Sequence, residues 1–271
     1  TRNIGIGRGA YYGSDTENDN IAIGYNAMTT NTAGGTENTA IGNYSMDTLT
    51  SGDQNTAVGM NAMGAITTGN QNTAVGRASL LLNNSGTGNT AVGRNALNQN
   101  TTGSYNTGIG GSALDANTTG ATNVAVGFES LVGNTTGTDN VGIGVDALKA
   151  NTTASNNVAV GRSALTANTT GTPNTAIGYH AMSANTTAVN NTAVGYQALN
   201  DMTDGNGRNA CFGHEAGGAI TSGNKNTCIG TSSGETMVTN LNCTTLGYNS
   251  EPSANNASNE MTFGDANVSA S

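Results

Sequence analysis

A glycine returns at a near-constant interval along this chain: Gly7, Gly24, Gly42, Gly59, Gly76, Gly93, Gly110, Gly127, Gly144, Gly161, Gly178, Gly195, Gly213, Gly230, Gly247 and Gly264. The interval is 17 residues, except for two of 18, from Gly24 to Gly42 and from Gly195 to Gly213. A period held over about sixteen copies restricts the chain to architectures in which each copy forms the same local structure and packs on its neighbours. The consensus copy reads N-T-A-[VI]-G-x-x-A-[LM]-x-x-N-T-T-G-x-x.

Two glycines per copy and an Asn-Thr-Thr-Gly tract oppose a helix, and no 3.6-residue stripe runs through a copy. The spacing predicts instead an all-β, parallel β-solenoid, or β-roll, of about sixteen 17-residue coils. Each coil is expected to hold two short strands, Asn-Thr-Ala-Val and the Ala-Leu pair, with Asn-Thr-Thr-Gly as the return turn whose glycine takes φ > 0. Strands stacked about 4.8 Å apart make sixteen coils a rod of roughly 75 Å.

Stacking converts each repeat position into a column. Asn stands four before the glycine in fourteen coils, Asn3 to Asn226, and predicts an amide ladder. The residue before the glycine is apolar in all sixteen, Ile6 to Phe263, and Leu or Met stands four after it in eleven, Met28 to Leu199. Both read as interior columns. Val126→Asp is therefore expected to be far worse than Thr119→Asp in the return turn. Ala two before the glycine forms a small-residue column where backbone approaches closely. Only two large apolar side chains per coil are available to offset the cost of ordering 17 residues. So thin a core points to burial against other chains.

Composition narrows function. Charged residues are 9%, aromatics 4%, Trp is absent, and the net charge is −9, with 8 scattered basic residues. Phosphate backbones need clustered Lys and Arg, so nucleic acid is not an expected partner. No run of 18 apolar residues is present, so no membrane insertion is expected. The chain begins inside a repeat, at Thr1-Arg2-Asn3, as a piece of a longer protein would.

No catalytic constellation is visible. His180 and His214 are the only histidines and lie two coils apart, without a Ser, Cys or Asp partner at a familiar spacing. Gly5-Ile-Gly-Arg-Gly and Gly108-Ile-Gly-Gly lack the lysine and helix of a phosphate loop. Asp47, Asp115, Asp139 and Asp146 hold no one common phase, so no calcium ladder is expected. Three cysteines without CxxC spacing make neither a disulfide framework nor a zinc site. Cys211 and Cys228 replace the small Ala and should stack in adjacent coils. No cofactor and no metal site are expected, and the chain reads as a non-enzyme.

The residue after the glycine is Arg8, Arg77, Arg94 and Arg162, and Tyr25, Tyr179, Tyr196 and Tyr248. Long amphipathic side chains there suit a seam between subunits, and equally suit stacking on sugars.

The motif Asn-x-Ala-[Val/Ile]-Gly-x-x-[Ala/Ser] resembles the head repeats of trimeric autotransporter adhesins. The longer form, Asn174-Thr-Ala-Ile-Gly-Tyr-His-Ala-Met with Asn185-Thr-Thr, is similar to repeats of phage tail fibres, often followed by an endosialidase-type intramolecular chaperone. The repeat resemblance covers residues 1 to about 239, taken as the shaft. Residues 240–271 are taken as degenerate terminal coils, a neck or a tip, and resemble the segment leading into such a chaperone. The resemblance implies left-handed coils, a homotrimer, an extracellular place on a virion tail fibre or cell surface, and attachment to a cell-surface glycan or other receptor. An ice-binding solenoid is the alternative.

Four rules relax late in the chain. The Leu/Met column becomes Gly217, Gly234 and Glu251; the Asn column ends at Asn226; Phe212 and Phe263 enter the Val/Ile column; and the Ala column becomes Cys211, Cys228, Thr245 and Thr262. Residues from about 200 onward are thus expected to leave the regular solenoid as a tip, or to form a simple cap. His214, Tyr248, Tyr196 and Tyr179 are the candidate binding residues.

Overall fold

The computed structural model describes residues 2–13, 17–30 and 34–265. It is an all-β parallel β-solenoid of about 15 turns, without a helix among the described residues. The chain divides into two compact units, Thr1–Thr138 and Asp139–Ser271. The first holds β1 (Ile4–Ile6), β2 (Ile21–Ile23), β3 (Thr39–Ile41), β4 (Thr56–Val58), β5 (Thr73–Val75), β6 (Thr90–Val92), β7 (Thr107–Ile109) and β8 (Val124–Val126). The second holds β9 (Val141–Ile143), β10 (Val158–Val160), β11 (Asn174–Ile177), β12 (Asn191–Val194), β13 (Ala210–Phe212), β14 (Thr227–Ile229), β15 (Thr244–Leu246) and β16 (Met261–Phe263). Within each unit every strand pairs in parallel with the next, each residue opposite its own copy, as in Ala74↔Ala91 and Ala176↔Ala193. The two 18-residue coils keep this register, Ile21↔Thr39 and Thr192↔Ala210, so the extra residue is absorbed outside the strand.

Each coil has one strand, not the two expected. The Ala-Leu segment is a turn in which the residues two and four past the glycine take left-handed φ, +55° at Ala78 and +49° at Leu80. This conformation costs an L-residue about 1–2 kcal/mol. Two gains offset it. Leu80 is fully buried, and the turn still bonds to its neighbouring coils, Ala78 N–H to Met60 O at 3.0 Å and Leu80 N–H to Ala96 O at 2.9 Å. The ladder therefore runs on through residues that are not β.

The interior differs from expectation too. A three-residue strand turns its middle side chain one way and the outer two the other. The middle Ala faces in, so Ala57, Ala74 and Ala91 are fully buried. The Val/Ile column consequently faces out, with Ile41 38%, Val92 36% and Ile109 40% exposed. Val126 is only half-buried, so an Asp there does not enter the core of its own chain. Thr119 is exposed, as expected of the return turn.

The recurring glycine has a steric cause. Gly76 sits at φ +135°, and a Cβ on it would lie 2.6 Å from Gly93 O of the next coil. It is this glycine, rather than the one in Asn-Thr-Thr-Gly, that holds positive φ; the return-turn Gly86 is required because a Cβ would lie 2.3 Å from both Asn83 Oδ1 and Gly103 O.

The Asn column forms the expected ladder and is buried from Asn20 to Asn226. Asn89 donates its backbone N–H to Asn72 Oδ1 at 2.9 Å and its amide to Gly103 O at 2.9 Å, while its Oδ1 accepts the Asn106 N–H at 2.9 Å. A second ladder, seven past the glycine, was read from sequence only as part of a turn. In it Asn100, Asn117 and Asn134 each donate an amide to the preceding Asn Oδ1 at 2.8 Å.

The C-terminal strands stay in register through β16, so the described residues after 200 continue the solenoid and do not leave it as a tip, the first of the two alternatives. Gly217 and Gly234 keep the left-handed φ of the Leu/Met they replace, +63° and +66°. The lost volume returns at Ile220 and Met237, both fully buried. Residues 266–271 of the expected terminal segment lie outside the described residues.

Asn89→Ala removes the acceptor of the buried Asn106 N–H, a loss of about 1–3 kcal/mol before any cavity cost. Its urea midpoint is expected to fall clearly below that of Gln99→Ala, an exposed site where about 0.5 kcal/mol or less is at stake. Equal midpoints would refute the structural role given to the ladder.

Candidate functional site

The position after the glycine projects outward, and stacking brings its side chains into register. Tyr179 and Tyr196 lie parallel with centroids 5.4 Å apart and an interplanar angle of 7°. His214 continues the stack at 4.8 Å and 12° from Tyr196. His180 leans on Tyr179 at 4.2 Å. The stack is bounded in sequence by Arg162 on one side and Thr231 on the other. Three of the four candidate binding residues are thus one ladder, whose rings cover one another's faces and present their edges. The fourth, Tyr248, is two coils past His214 and 64% exposed. Tyr25 makes a separate edge contact with Tyr44, at 5.3 Å and 79°. Arg8, Arg77, Arg94 and Arg162 are all exposed at the same repeat position.

Beside this ladder the ridge of the coil is notched. Gly218 and Ala219 occupy the positions held by Asn200-Asp201 one coil earlier and Glu235-Thr236 one coil later. The result is a recess of about 230 Å³ lined by Gln197, Asn200, Asp201, Glu215, Gly218, Ala219 and Glu235. Glu215 Oε2 lies 3.4 Å from His214 Nδ1, joining recess and ladder. A wider hollow of about 710 Å³ follows, lined by Glu235, Thr236, Asn249, Glu251, Thr262, Phe263, Gly264 and Asp265. Glu251 there accepts the Thr236 hydroxyl at 2.8 Å. No Lys or Arg lines either one, so the lining offers acceptors to hydroxyl-rich or cationic groups and repels phosphate.

Sequence reasoning missed these carboxylates because they do not share a phase: Glu215, Glu235, Glu251 and Asp201 stand two, five, four and six past their glycines. In a solenoid, neighbours across coils differ by about one period plus a small offset. Such offsets escape a tally made column by column.

Cys211 and Cys228 face each other in register, as the repeat implied, and with Cys243 are free and buried. The adjacent Cys228 thiol, and then burial, push the Cys211 thiol well above its ordinary value. No group of three or more His, Cys, Asp or Glu able to hold a metal ion occurs among the described residues. No helix among them is long and apolar enough to cross a membrane.

No family model matches the chain, and neither a curated protein nor a solved structure matches it.

With all three thiols at 0–1% exposure, a bulky aromatic disulfide reagent is expected to titrate none of them in native buffer and all three after denaturation. Rapid native reaction of Cys211 or Cys228 would contradict their placement.

Proposed function

We propose that this chain is a structural and adhesive fibre segment, of the kind found in virus tail fibres or bacterial surface adhesins, that works outside the cell as a homotrimer. The observation that carries the reading is the outward apolar column. Ile41, Val75, Val92 and Ile109 in the first unit, and Ile143, Ile177, Phe212, Ile229 and Leu246 in the second, are each 36–41% exposed. Covering what remains exposed contributes roughly 1 kcal/mol per coil. Over eight coils of one unit that is comparable to the roughly 4–15 kcal/mol lost in bringing chains together. A contact repeated in every coil gains with length, which suits a fibre. The number three is supported by the sequence resemblance. Attachment is supported by the exposed aromatic ladder and the acceptor-lined recesses, which suit a glycan or another hydroxyl-rich receptor.

A second reading draws on the same face. Thr39, Thr56, Thr73, Thr90 and Thr107 stand in consecutive strands, each two residues before a Val or Ile that faces out with it. A regular Thr-x-Val array is what an ice-binding surface would use. The two readings exclude each other, because a face covered by another chain cannot meet ice.

Light scattering at micromolar concentration is expected to give three chain masses. Val92→Asp is expected to reduce that mass while leaving β-type circular dichroism in place, and Ala91→Asp, pointing inward, to abolish folding. A monomeric wild type, or unaltered assembly of Val92→Asp, would remove the fibre reading. Thermal hysteresis from the wild type would establish the alternative; none is expected.

A further inference from the structure

We propose that Cys211, Cys228 and Met237 form an all-sulfur site for a soft monovalent metal ion, copper(I) or silver(I). Soft thiolate and thioether donors select such ions over harder divalent ones. Cys228 stands 3.9 Å from Met237, sulfur to sulfur, and opposite Cys211 in register, because the repeat changes in two ways at once. Cysteine replaces the inward Ala in consecutive strands β13 and β14, opposite each other in register. Glycine replaces the inward Leu/Met at 217 and 234, and the apolar side chain moves three residues on, to Ile220 and Met237.

The sulfurs occupy the volume that the glycines leave free of a side chain. The nearest atoms to the place a Cβ would take on Gly234 are Cys228 Sγ and Met237 Sδ, each at 2.7 Å, and Thr245 Oγ1 at 3.2 Å. The same place on Gly217 is 2.7 Å from Cys211 Sγ, 3.0 Å from Ile220 Cδ1 and 3.6 Å from Cys228 Sγ. Cys228 is therefore the shared corner. Metal–sulfur bonds of about 2.3 Å put the corners of a three-sulfur triangle about 4.0 Å apart. Cys228 Sγ and Met237 Sδ are already 3.9 Å apart.

Charge fits the burial as well. The ion displaces one proton, from Cys228, to bulk buffer; the Cys228 sulfur–metal bond forms, and Met237 and Cys211 donate lone pairs while Cys211 keeps its proton. One thiolate and one monovalent cation leave the site neutral, which a fully buried site requires. Cys228 is assigned the thiolate because it is the sulfur that neighbours both of the others.

The test uses silver(I), which needs no reductant. It is added to the folded chain, and in parallel during refolding from denaturant, so that slow entry into the core cannot mask binding. Unbound ion is removed, and native mass spectrometry counts what remains per chain. One ion per chain is expected for the wild type and for Cys243→Ala. Cys228→Ala should retain none, while Cys211→Ala and Met237→Leu should bind at least tenfold more weakly. The two alanines at 211 and 228 restore the residue most other coils carry, and Leu conserves the volume of Met, so all three variants keep the fold. Absence of silver from the wild type in both arms, undiminished retention by Cys228→Ala, or unchanged affinity in Met237→Leu would each overturn the site.

Discussion

In the coils from Gly76 to Gly144, one carbonyl per coil, ten residues past the repeat glycine, accepts two asparagine amides. At Gly86 O they come from Asn72 at 2.8 Å and Asn83 at 3.0 Å; at Gly103 O from Asn89 and Asn100, both at 2.9 Å. The first amide links the start of the coil to its return, and the second closes the turn locally. The Oδ1 atoms of both residues meanwhile accept from the next coil. The cross-section is too narrow for a layered apolar core, so buried amides do the work that aliphatic packing does elsewhere. Asp cannot replace Asn, because it lacks the donor, and Gln is a methylene too long. Where the second ladder gives way to Leu49, Ile66, Met202, Ile220 or Met237, the first still runs past it. Even Cys243, standing where Asn is expected, gives its backbone N–H to Asn226 Oδ1 at 2.9 Å.

The period, the parallel stacking, the first Asn ladder and the stacked cysteines were all legible in the sequence, since each depends only on like residues standing above like. What was not legible depends on dihedral angles. Ala78 and Leu80 look like strand residues, yet a left-handed pair makes a turn of them while keeping their inter-coil bonds. Because that turn carries Leu80 inward, Ala74 and Leu80 already fill the interior, and Val75 is left outside. A single mistaken strand thus inverted the face of a whole column. The ring ladder was half legible: the shared position of Tyr179 and Tyr196 was plain, but His214 joining it, and the recess at Gly218, required the third dimension.

The C-terminal coils show why columns mislead when taken one at a time. Losing Leu at 217 and 234 reads as a weakened core, and gaining Ile220 and Met237 reads as noise in a turn. Together they conserve volume across the section. The two 0%-exposed residues fill from one side what Leu199 fills from the other, and glycine at the left-handed position even removes a backbone penalty. In the coils of Gly213 and Gly230 the loss of one rule is thus compensated by the change in another.

The outward column bears on whether this chain is complete by itself. Val and Ile before the glycine could be there only because β-branched residues suit a strand. The residue two earlier in each strand tests that explanation, since it lies on the same outward face and faces the same backbone demand. There the chain uses Thr in nine of sixteen coils, which satisfies the preference and remains soluble. Immediately before the glycine, Thr never occurs, and the residue is apolar in all sixteen. Strand propensity predicts no such difference between two positions on one face. A neighbour that covers one column and leaves the other at its rim does predict it, which supports the proposed assembly of copies of this chain, each carrying the same column at the same period.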